Sequence, residues 1–236
     1  MELNGSELCT FVSESFRSSI KHPQEITFTS PASVKQSYEA SVVKYCALNV
    51  QANDVFIDAG AHIGFYSLPL SGIFEMCYAF EPSDLQFDLL CKNIRQNNIN
   101  NVKPFKFGLG AIEEEKDFYI TGKSGGTNTF VRNQYSENPM NICTVQIRTL
   151  DSLAINDVSF IKIDVEGWEL EVLKGGLDTI SQTKPEMLIE VWEEPARRAE
   201  VQQLLAKLNY KIDYRFKDFP ELGWASRIKP TTAGDK

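Results

Sequence analysis

Residues 54–64 read DVFIDAGAHIG, an apolar run that ends in an aspartate and is followed by two glycines. A short continuous apolar run that ends at a turn signal is typical of a strand buried on both faces of a sheet. Glycine lets the backbone turn tightly and come close to a ligand. The stretch therefore predicts a buried strand whose carboxyl end carries Asp58, Gly60 and Gly64.

Short apolar runs alternate with amphipathic segments along most of the chain. Strands are predicted at residues 54–58, 74–80, 102–107, 160–165 and 186–192. Helices are predicted at residues 33–48, 63–70, 84–98, 168–173 and 195–208. Strand–helix alternation indicates parallel pairing through right-handed crossovers. The expected fold is an α/β sheet, mostly parallel and covered by helices on both faces, with later strands at residues 210–216 and 224–228 that pair antiparallel at an edge.

This alternation is interrupted between residues 113 and 148. Residues 113–120 and 142–148 alternate polar and apolar side chains in the manner of antiparallel strands, and a polar loop joins them. Loops inserted into a regular fold often carry the recognition of a substrate. We therefore place Thr127 and Asn128 of this loop in the substrate site, because both offer hydrogen bonds suited to a sugar or an amide. The alternative, a flexible hairpin tip, stays open.

Three segments are expected along the chain. Residues 1–50 form an N-terminal helical cap over the mouth of the sheet, with a weaker helix at residues 1–20 ahead of the one at 33–48. Residues 51–228 form the main domain. Residues 229–236 form a flexible tail, because they are polar and lie at the chain end.

Composition argues against several classes of protein. The chain has 236 residues and a formal net charge of −8, which argues against nucleic acid and anionic membrane as partners, since both attract cationic surfaces. No apolar run reaches the roughly 18 residues of a membrane span, and residues 1–20 lack the apolar centre of a signal peptide. The five cysteines are scattered and form no C-x-x-C pair, which favours a reducing, cytoplasmic setting without a zinc site or a disulfide framework.

An acidic residue follows the second predicted strand. Glu81 and Asp58 then lie at neighbouring strand ends, where a carboxylate can accept both hydroxyls of a ribose. The glycine spacing is G-x-x-x-G rather than the G-x-G-x-x-G of a dinucleotide site, and Asp58 would repel a pyrophosphate. A nucleoside with a cationic tail, such as S-adenosylmethionine with its ammonium and sulfonium groups, suits these residues better. The alternative is that no ligand binds here. The glycines would then form only a tight turn, and Glu81 would be a solvated acid at a strand end.

Three stretches closely resemble the FkbM family of S-adenosylmethionine-dependent methyltransferases: DVFIDAGAHIGFYS at residues 54–67, AFEPSDLQFDLLCKNIRQNN at 79–98 and FIKIDVEGWELEVLKGG at 160–176. The resemblance covers most of the chain. It implies a class I, Rossmann-like methyltransferase fold, with the cofactor over the ends of the first strands. On that match, Asp58, Gly60 and Gly64 line the methionine end of the cofactor and Glu81 binds its ribose.

The expected cofactor site includes further residues. We add Pro82, Gly108 and Asp164, and Glu39 of the N-terminal helix, which recurs in the family pattern and can close over the cofactor. His62 also belongs to this site and stands where the family usually has Asn or Ser. It either shapes the loop or acts as a base, since an imidazole titrates near neutral pH.

Acidic residues also follow the fourth and fifth predicted strands. Asp164 ends the fourth strand and is expected to face the transferring methyl group, and Glu166 lies two positions further on. Either carboxylate, or His62, can take the proton that a hydroxyl acceptor loses. Glu190 ends the fifth strand close to Asp164, which places it in the substrate site. The alternatives are that Asp164 and Glu166 cap the following helix, or that Asp164 and Glu190 share a divalent cation; we assign no metal ligand.

The expected activity is methyl transfer from S-adenosylmethionine to a hydroxyl of a sugar, glycan or natural product, with release of S-adenosylhomocysteine. Transfer to an amide or amine nitrogen is the alternative within the class. Two other classes stay open: an NAD-dependent oxidoreductase or epimerase, and a non-catalytic nucleoside-binding domain. The former predicts the glycines of a pyrophosphate site, which the G-x-x-x-G spacing of residues 60–64 does not match.

Overall fold

The computed structural model describes residues 6–11, 26–31, 39–50, 54–122, 125–132, 137–191, 195–215 and 224–231. Its strands are β1 (Ser6–Phe11), β2 (Ile26–Pro31), β3 (Val55–Ala59), β4 (Met76–Phe80), β5 (Val102–Phe105), β6 (Gly108–Leu109), β7 (Glu114–Ile120), β8 (Asn141–Arg148), β9 (Val158–Ile163), β10 (Glu186–Val191), β11 (Tyr210–Arg215) and β12 (Trp224–Pro230). Its α-helices are α1 (Glu39–Asn49), α2 (Ser67–Leu70), α3 (Asp84–Gln96), α4 (Glu169–Lys174), α5 (Leu177–Thr183) and α6 (Pro195–Lys207). None of the helices in these ranges has the length and apolar character needed to cross a membrane.

Seven strands form the main sheet, in the order β11-β12-β10-β9-β3-β4-β5. The neighbours from β10 to β5 pair in parallel, whereas β12 is antiparallel to both β10 and β11. This mixed architecture confirms the predicted α/β fold class. Because parallel strands end on one side of the sheet, their carboxyl ends form the edge at which open α/β sheets bind ligands.

Alternate side chains of the central strands pack on opposite faces of the sheet, as the pleat requires. On one face Phe56, Phe74 and Phe160 pack with ring centroids between 5.3 and 6.0 Å apart, together with apolar residues of α1, α2 and α3. On the other face Ile57 and Ile161 pack with apolar residues of α4, α5 and α6. Burial on both faces explains why the central strands are continuous apolar runs rather than alternating ones.

The N-terminal region differs from the predicted helical cap. β1 lies within residues 1–20, where the sequence predicts a helix, and it pairs antiparallel with β2; that prediction is wrong. β-branched and aromatic residues in β2, which reads ITFTSP, favour a strand. The helix predicted at residues 33–48 is confirmed in large part by α1. The region is therefore a hairpin followed by a helix, and β2 packs against α3.

The predicted flexible tail also needs correction. Lys229 and Pro230 belong to β12, where Lys229 pairs with Lys211 of β11. Beyond them, the Thr231 N–H donates to the Asn209 carbonyl oxygen at 2.7 Å. Residues 229–231 are therefore held by the main sheet, and residues 232–236 lie outside the described ranges.

A second sheet of three strands, in the order β6-β8-β7, is inserted between β5 and β9. β7 and β8 are antiparallel, which confirms the pair predicted from alternating side chains. Phe118, Phe130 and Ile147 form its small core, and Trp168 packs against that core from the segment after β9. The inserted sheet thus packs against the segment that follows β9, at the carboxyl edge of the main sheet.

Candidate active site

The loops that follow β3, β4 and β9 meet at the carboxyl edge of the main sheet. β3 lies between the other two strands, because Asp58 pairs with Ala79 of β4 on one side and with Lys162 of β9 on the other. The three loops carry the acids and glycines that the sequence predicts for a nucleoside site. The fold therefore brings together residues that are separated by about a hundred positions in the chain.

The loop after β3 depends on two glycines with left-handed backbone. Gly60 has a φ of +81° and Gly64 a φ of +99°, values that residues with a side chain rarely adopt. A Cβ atom at Gly60 would lie 1.9 Å from the Asp164 carbonyl oxygen, and one at Gly64 would lie 2.2 Å from Leu68 Cδ1. Both glycines are thus needed to pack the loop against the protein, a reason that their spacing in the sequence does not reveal.

Asp58 lies beneath this loop. Its side chain is 0% exposed, and its Oδ2 accepts hydrogen bonds from the Ser67 N–H at 3.1 Å and from the Ser67 hydroxyl. Burial raises the pKa of the Asp58 carboxyl, and the neighbouring Lys162 ammonium opposes that shift. Such burial does not suit the expected direct contact of Asp58 with a cationic ligand, because the carboxylate is occupied in holding the loop and Lys162.

Lys162 is a buried cation at the centre of the site, and the sequence reasoning gave it no role. Its Nζ donates to the Gly60 carbonyl oxygen at 2.8 Å and lies 3.6 Å from Asp58 Oδ1 and 3.4 Å from Asp164 Oδ2. A buried ammonium needs such partners, because its desolvation is otherwise very costly. A lysine inside the apolar run of β9 is the sequence signal that points to it.

Glu81 directly follows β4, and its carboxylate links the loop after β3 to the start of the segment that leads into α3. It is 6% exposed; its Oε2 accepts the His62 N–H at 2.9 Å and its Oε1 accepts the Ser83 N–H at 2.8 Å. Burial raises the pKa of Glu81 to about 7, although both hydrogen bonds lower it. Each carboxylate oxygen keeps a further lone pair, so Glu81 can accept hydrogen bonds from ligand hydroxyls while it holds both loops.

His62 and Pro82 flank this carboxylate in different ways. His62 has a left-handed φ of +53°, its N–H is held by Glu81, and its ring stacks on Phe65 at a centroid distance of 5.6 Å. These contacts support a role in shaping the loop, and a role as a base stays a prediction. Pro82 is buried directly after Glu81, where its fixed φ directs the chain towards α3.

Asp164, directly after β9, is only partly buried. Its side chain is 26% exposed, and its N–H donates to the Ala59 carbonyl oxygen at 3.2 Å, which extends the pairing of β9 with β3. Glu166 and Gly167 then form a tight turn, with left-handed φ values of +54° and +96°. Exposure favours Asp164 over Asp58 as the acid that contacts a ligand.

Two buried side chains that the sequence reasoning missed hold this turn. The Thr129 hydroxyl donates to the Glu166 carbonyl oxygen at 2.7 Å, and Glu169 Oε1 accepts the Gly167 N–H at 2.7 Å. Burial raises the pKa of Glu169 to about 7. Acidic residues are common in the first turn of any helix, so the position of Glu169 at the start of α4 gives no distinctive signal.

The predicted substrate residues of the inserted loop make hydrogen bonds within the protein. The hydroxyls of Thr127 and Thr121 lie 2.6 Å apart, and Asn128 Oδ1 accepts the Thr121 N–H at 3.0 Å. Asn128 Nδ2 lies 3.5 Å from Ser83 Oγ, close to the end of β4. These contacts give Thr127 and Asn128 a part in shaping the loop, and their contact with a substrate stays a prediction.

The remaining residues predicted for the site lie on three different elements. Glu190 lies on β10 beside β9, and the strand register places its backbone level with Asp164. Gly108 lies in β6, where a Cβ atom would be 2.7 Å from the Phe130 ring, so it packs against the core of the inserted sheet. Glu39 begins α1, but its side chain lies outside what the structure describes. Within the described ranges, no group of three or more His, Cys, Asp or Glu residues is placed to hold a metal ion.

The strand order, the parallel centre and the loops at its carboxyl edge define a class I, Rossmann-like methyltransferase fold. The chain belongs to the methyltransferase FkbM domain family, whose model matches residues 58–215. This match confirms the resemblance seen in the three sequence stretches.

The proteins and the solved structure to which the chain is similar include several that are named as methyltransferases. Methyltransferase sdnD from Sordaria araneosa is 24% identical over 201 residues, which are 71% of this chain and 78% of that protein. The hexuronic acid methyltransferase AglP from Haloferax volcanii is 30% identical over 139 residues, which are 58% of this chain and 56% of that protein. The crystal structure of methyltransferase FkbM from Methylobacillus flagellatus superposes with a TM-score of 0.55 at 18% identity, over 83% of this chain and 55% of that one. The chain thus matches about half the length of the latter two proteins.

Proposed function

We propose that the protein is a methyltransferase that uses S-adenosylmethionine and binds it over the ends of β3, β4 and β9. The observation that carries this proposal is Glu81, a buried carboxyl group whose two oxygens hold backbone amides and keep lone pairs for the hydroxyls of a ribose. The partly exposed carboxylate of Asp164 follows β9, on the other side of β3 from Glu81, and suits the cationic part of the ligand. When bound, S-adenosylmethionine supplies a methyl group activated by its sulfonium.

The acceptor that we propose is a hydroxyl group of a sugar, with hexuronic acids as the first class to test. AglP, a relative that is 30% identical over 139 residues, is named for its action on hexuronic acid. The inserted loop adds polar groups near both strand ends, since Asn128 reaches Ser83 and Thr129 contacts the turn after β9. Such a loop suits an acceptor with several hydroxyl groups.

We assign to Asp164 the role of the base that takes the proton of the acceptor hydroxyl. Methyl transfer is an in-line displacement, so the acceptor oxygen must lie opposite the sulfur and must lose its proton. Asp164 is partly exposed at the end of β9, and its Oδ2 lies 3.4 Å from Lys162 Nζ. Glu166 and His62 are the alternative proton acceptors, and Glu190 lies close enough along the sheet to contact the acceptor.

The division of the chain into units is also part of this proposal. We treat residues 51–228 as the catalytic domain, because the family match at 58–215 falls entirely within them. The hairpin of β1 and β2 and the helix α1 form the N-terminal part. They support the catalytic domain through contacts with α3 and α2.

Isothermal titration with S-adenosylhomocysteine and with NAD tests the donor. We expect S-adenosylhomocysteine to bind and NAD not to bind. Glu81→Gln should weaken the affinity about 10- to 100-fold, because a hydrogen bond to a charged group contributes about 1.5–3 kcal/mol. The exposed Glu75, directly before β4, provides the control Glu75→Gln, which should bind like the wild type. Equal affinity of Glu81→Gln and wild type would remove Glu81 from the donor site.

Incubation with methyl-labelled S-adenosylmethionine tests the acceptor. Hexuronic acids, neutral hexoses and small amides are offered separately, and mass spectrometry locates the label. We expect a methylated oxygen in the hexuronic acid arm. Label on an amide nitrogen alone would contradict the hydroxyl assignment and leave the donor assignment intact.

A further inference from the structure

One peptide group at the site, between Glu166 and Gly167, is held from both sides by buried side chains. Its carbonyl oxygen accepts the Thr129 hydroxyl at 2.7 Å, and its N–H donates to Glu169 Oε1 at 2.7 Å. Thr129 and Glu169 are both 0% exposed. We propose that these two side chains are positioning residues for methyl transfer, which clamp this peptide and thereby fix the turn after Asp164. This inference rests on the proposed function.

The clamped turn is strained, so it needs such support. Glu166 has a φ of +54°, which is uncommon for a residue with a side chain, and Gly167 has a φ of +96°. Rotation of the peptide would exchange the directions of its carbonyl and N–H groups. The Glu169 carboxylate would then face a carbonyl oxygen, and both hydrogen bonds would be lost. The clamp therefore selects one orientation of a peptide that lies two residues beyond the proposed proton acceptor.

Thr129 attaches this turn firmly to the inserted sheet. Its backbone exchanges two hydrogen bonds with Tyr119 of β7, and its hydroxyl oxygen accepts the Val131 N–H at 2.9 Å. The preceding residue, Asn128, reaches Ser83 at the end of β4. One short segment thus contacts the strand end that carries Glu81 and the strand end that carries Asp164. A fixed spacing between these two ends is what an in-line transfer requires.

Glu169 supplies the other half of the clamp from the first turn of α4. Its Oε2 is buried without a hydrogen-bond partner among the described residues, whereas its Oε1 accepts the Gly167 N–H. Among its charged neighbours, Asp164 at the end of β9 raises the pKa of Glu169 and Arg197 of α6 lowers it, while burial dominates and brings it to about 7. An ionised carboxylate is the stronger acceptor, so the hold on Gly167 should tighten as pH rises through this value.

Conservative variants separate positioning from simple loss of structure. Thr129→Val removes the hydroxyl and keeps the shape, and Thr129→Ser keeps the hydroxyl. We expect Thr129→Val to lower kcat by about tenfold or more, with Thr129→Ser close to wild type, while the Kd for S-adenosylhomocysteine changes less than about threefold. Thr144→Val, at an exposed position of β8, is the matched control and should change neither quantity. The assay uses the acceptor found by methyl labelling.

An NMR experiment tests the clamp without an activity assay. Glu166–Gly167 is the only Glu-Gly pair in the sequence, so ¹³C-carbonyl glutamate with ¹⁵N-glycine labels this peptide alone in an NMR spectrum. We expect the Gly167 amide to titrate with a midpoint near 7 in the wild type, to lose that titration in Glu169→Gln and to keep it in the control Glu171→Gln. Glu171 lies on the same helix in a more exposed pair with Lys174.

The outcomes distinguish the clamp from the proposed function. Unchanged kcat in Thr129→Val, or a Gly167 titration that survives in Glu169→Gln, would overturn the clamp and leave the methyltransferase assignment untouched. A wild type that binds no S-adenosylhomocysteine and transfers no methyl group would contradict the proposed function instead. If Thr129→Val does not fold, the NMR titration of Glu169→Gln decides.

Discussion

Buried carboxyl groups set the electrostatics of the site at the scale of single residues. Glu81 and Glu169 each accept backbone N–H groups, and burial raises the pKa of both to about 7. Near neutral pH both groups are therefore poised between their neutral and ionised forms. Such poised groups concentrate at functional sites, where a ligand that favours the charged form stabilises it on binding.

The raised pKa of Glu81 predicts how stability depends on pH. The ordinary pKa of glutamate is 4.5, so between 4.5 and about 7 the folded protein binds more protons than the unfolded chain. The free energy of unfolding therefore falls as pH rises through this window. Glu81→Gln removes this titration. The free energy of unfolding of the variant minus that of the wild type should therefore rise by about 1–3 kcal/mol between about pH 5 and about pH 8. Urea unfolding at each pH measures this difference.

A second variant provides the control for the pH dependence of stability. Glu75→Gln replaces an exposed glutamate next to β4 and should follow the wild type at every pH. If Glu81→Gln and wild type lose stability in parallel as pH rises, burial does not raise the pKa of Glu81. The role of this residue would then be that of an ordinary ionised acid.

Single residues of the site differ in how far the sequence reveals them. Glu81 and Asp164 could be predicted, because a strand pattern alone places them at the carboxyl edge of the sheet. The contacts of Thr129 with Glu166 and of Lys162 with Gly60 could not, because these partners lie 37 and 102 positions away in the chain. The strand pattern also places Asp58 at this edge, but its burial beneath the loop follows from the three-dimensional path of that loop.

At the scale of elements, α3 links the N-terminal hairpin to the glycine loop. Asn93 is buried on α3; its Oδ1 accepts the Thr29 N–H at 2.7 Å. Its Nδ2 donates to the Ile63 carbonyl oxygen at 2.9 Å and to the Thr29 carbonyl oxygen at 3.2 Å. One amide side chain thus satisfies backbone groups of both β2 and the loop that carries His62.

Loss of this side chain should destabilise the protein and loosen the loop. Asn93→Ala leaves buried backbone groups of two segments without partners, at about 1–3 kcal/mol for each group. We expect a loss of about 2–5 kcal/mol in urea unfolding. Asn100→Ala, at an exposed position, should change stability by less than about 0.5 kcal/mol. A loss in Asn93→Ala no larger than in Asn100→Ala would show that β2 does not depend on α3.

Elements with a clear period could be predicted, and those shaped by tertiary contacts could not. The central strands and α3 follow from their apolar pattern. The helix predicted at residues 168–173 corresponds to α4, and Gly175 follows α4 with an ordinary φ of −78°. A Cβ atom there would lie 1.9 Å from the Gly110 carbonyl oxygen, so close packing explains this glycine. The chain then continues directly into α5, which the pattern does not show.

At the scale of the whole molecule, β3 and β9 join the two halves of the main sheet. β4 and β5 lie beyond β3, and β10, β12 and β11 lie beyond β9. Lys162 of β9 bridges this junction, through the Gly60 carbonyl oxygen, Asp58 and Asp164. The chain carries a net charge of −8, and at the carboxyl edge of the sheet the buried Lys162 offsets two of its acids.

Removal of that cation should therefore weaken the whole fold rather than one loop. Lys162→Met leaves the fully buried Asp58 without its ion-pair partner, and breaking a buried pair in this way costs about 3–5 kcal/mol. Lys174→Met, in an exposed pair with Glu171, should cost less than about 1 kcal/mol. The double variant Lys162→Met with Asp58→Asn removes both charges and should recover part of the loss in urea unfolding. If the single variant were as stable as Lys174→Met, the strands would be joined by backbone pairing and apolar packing alone.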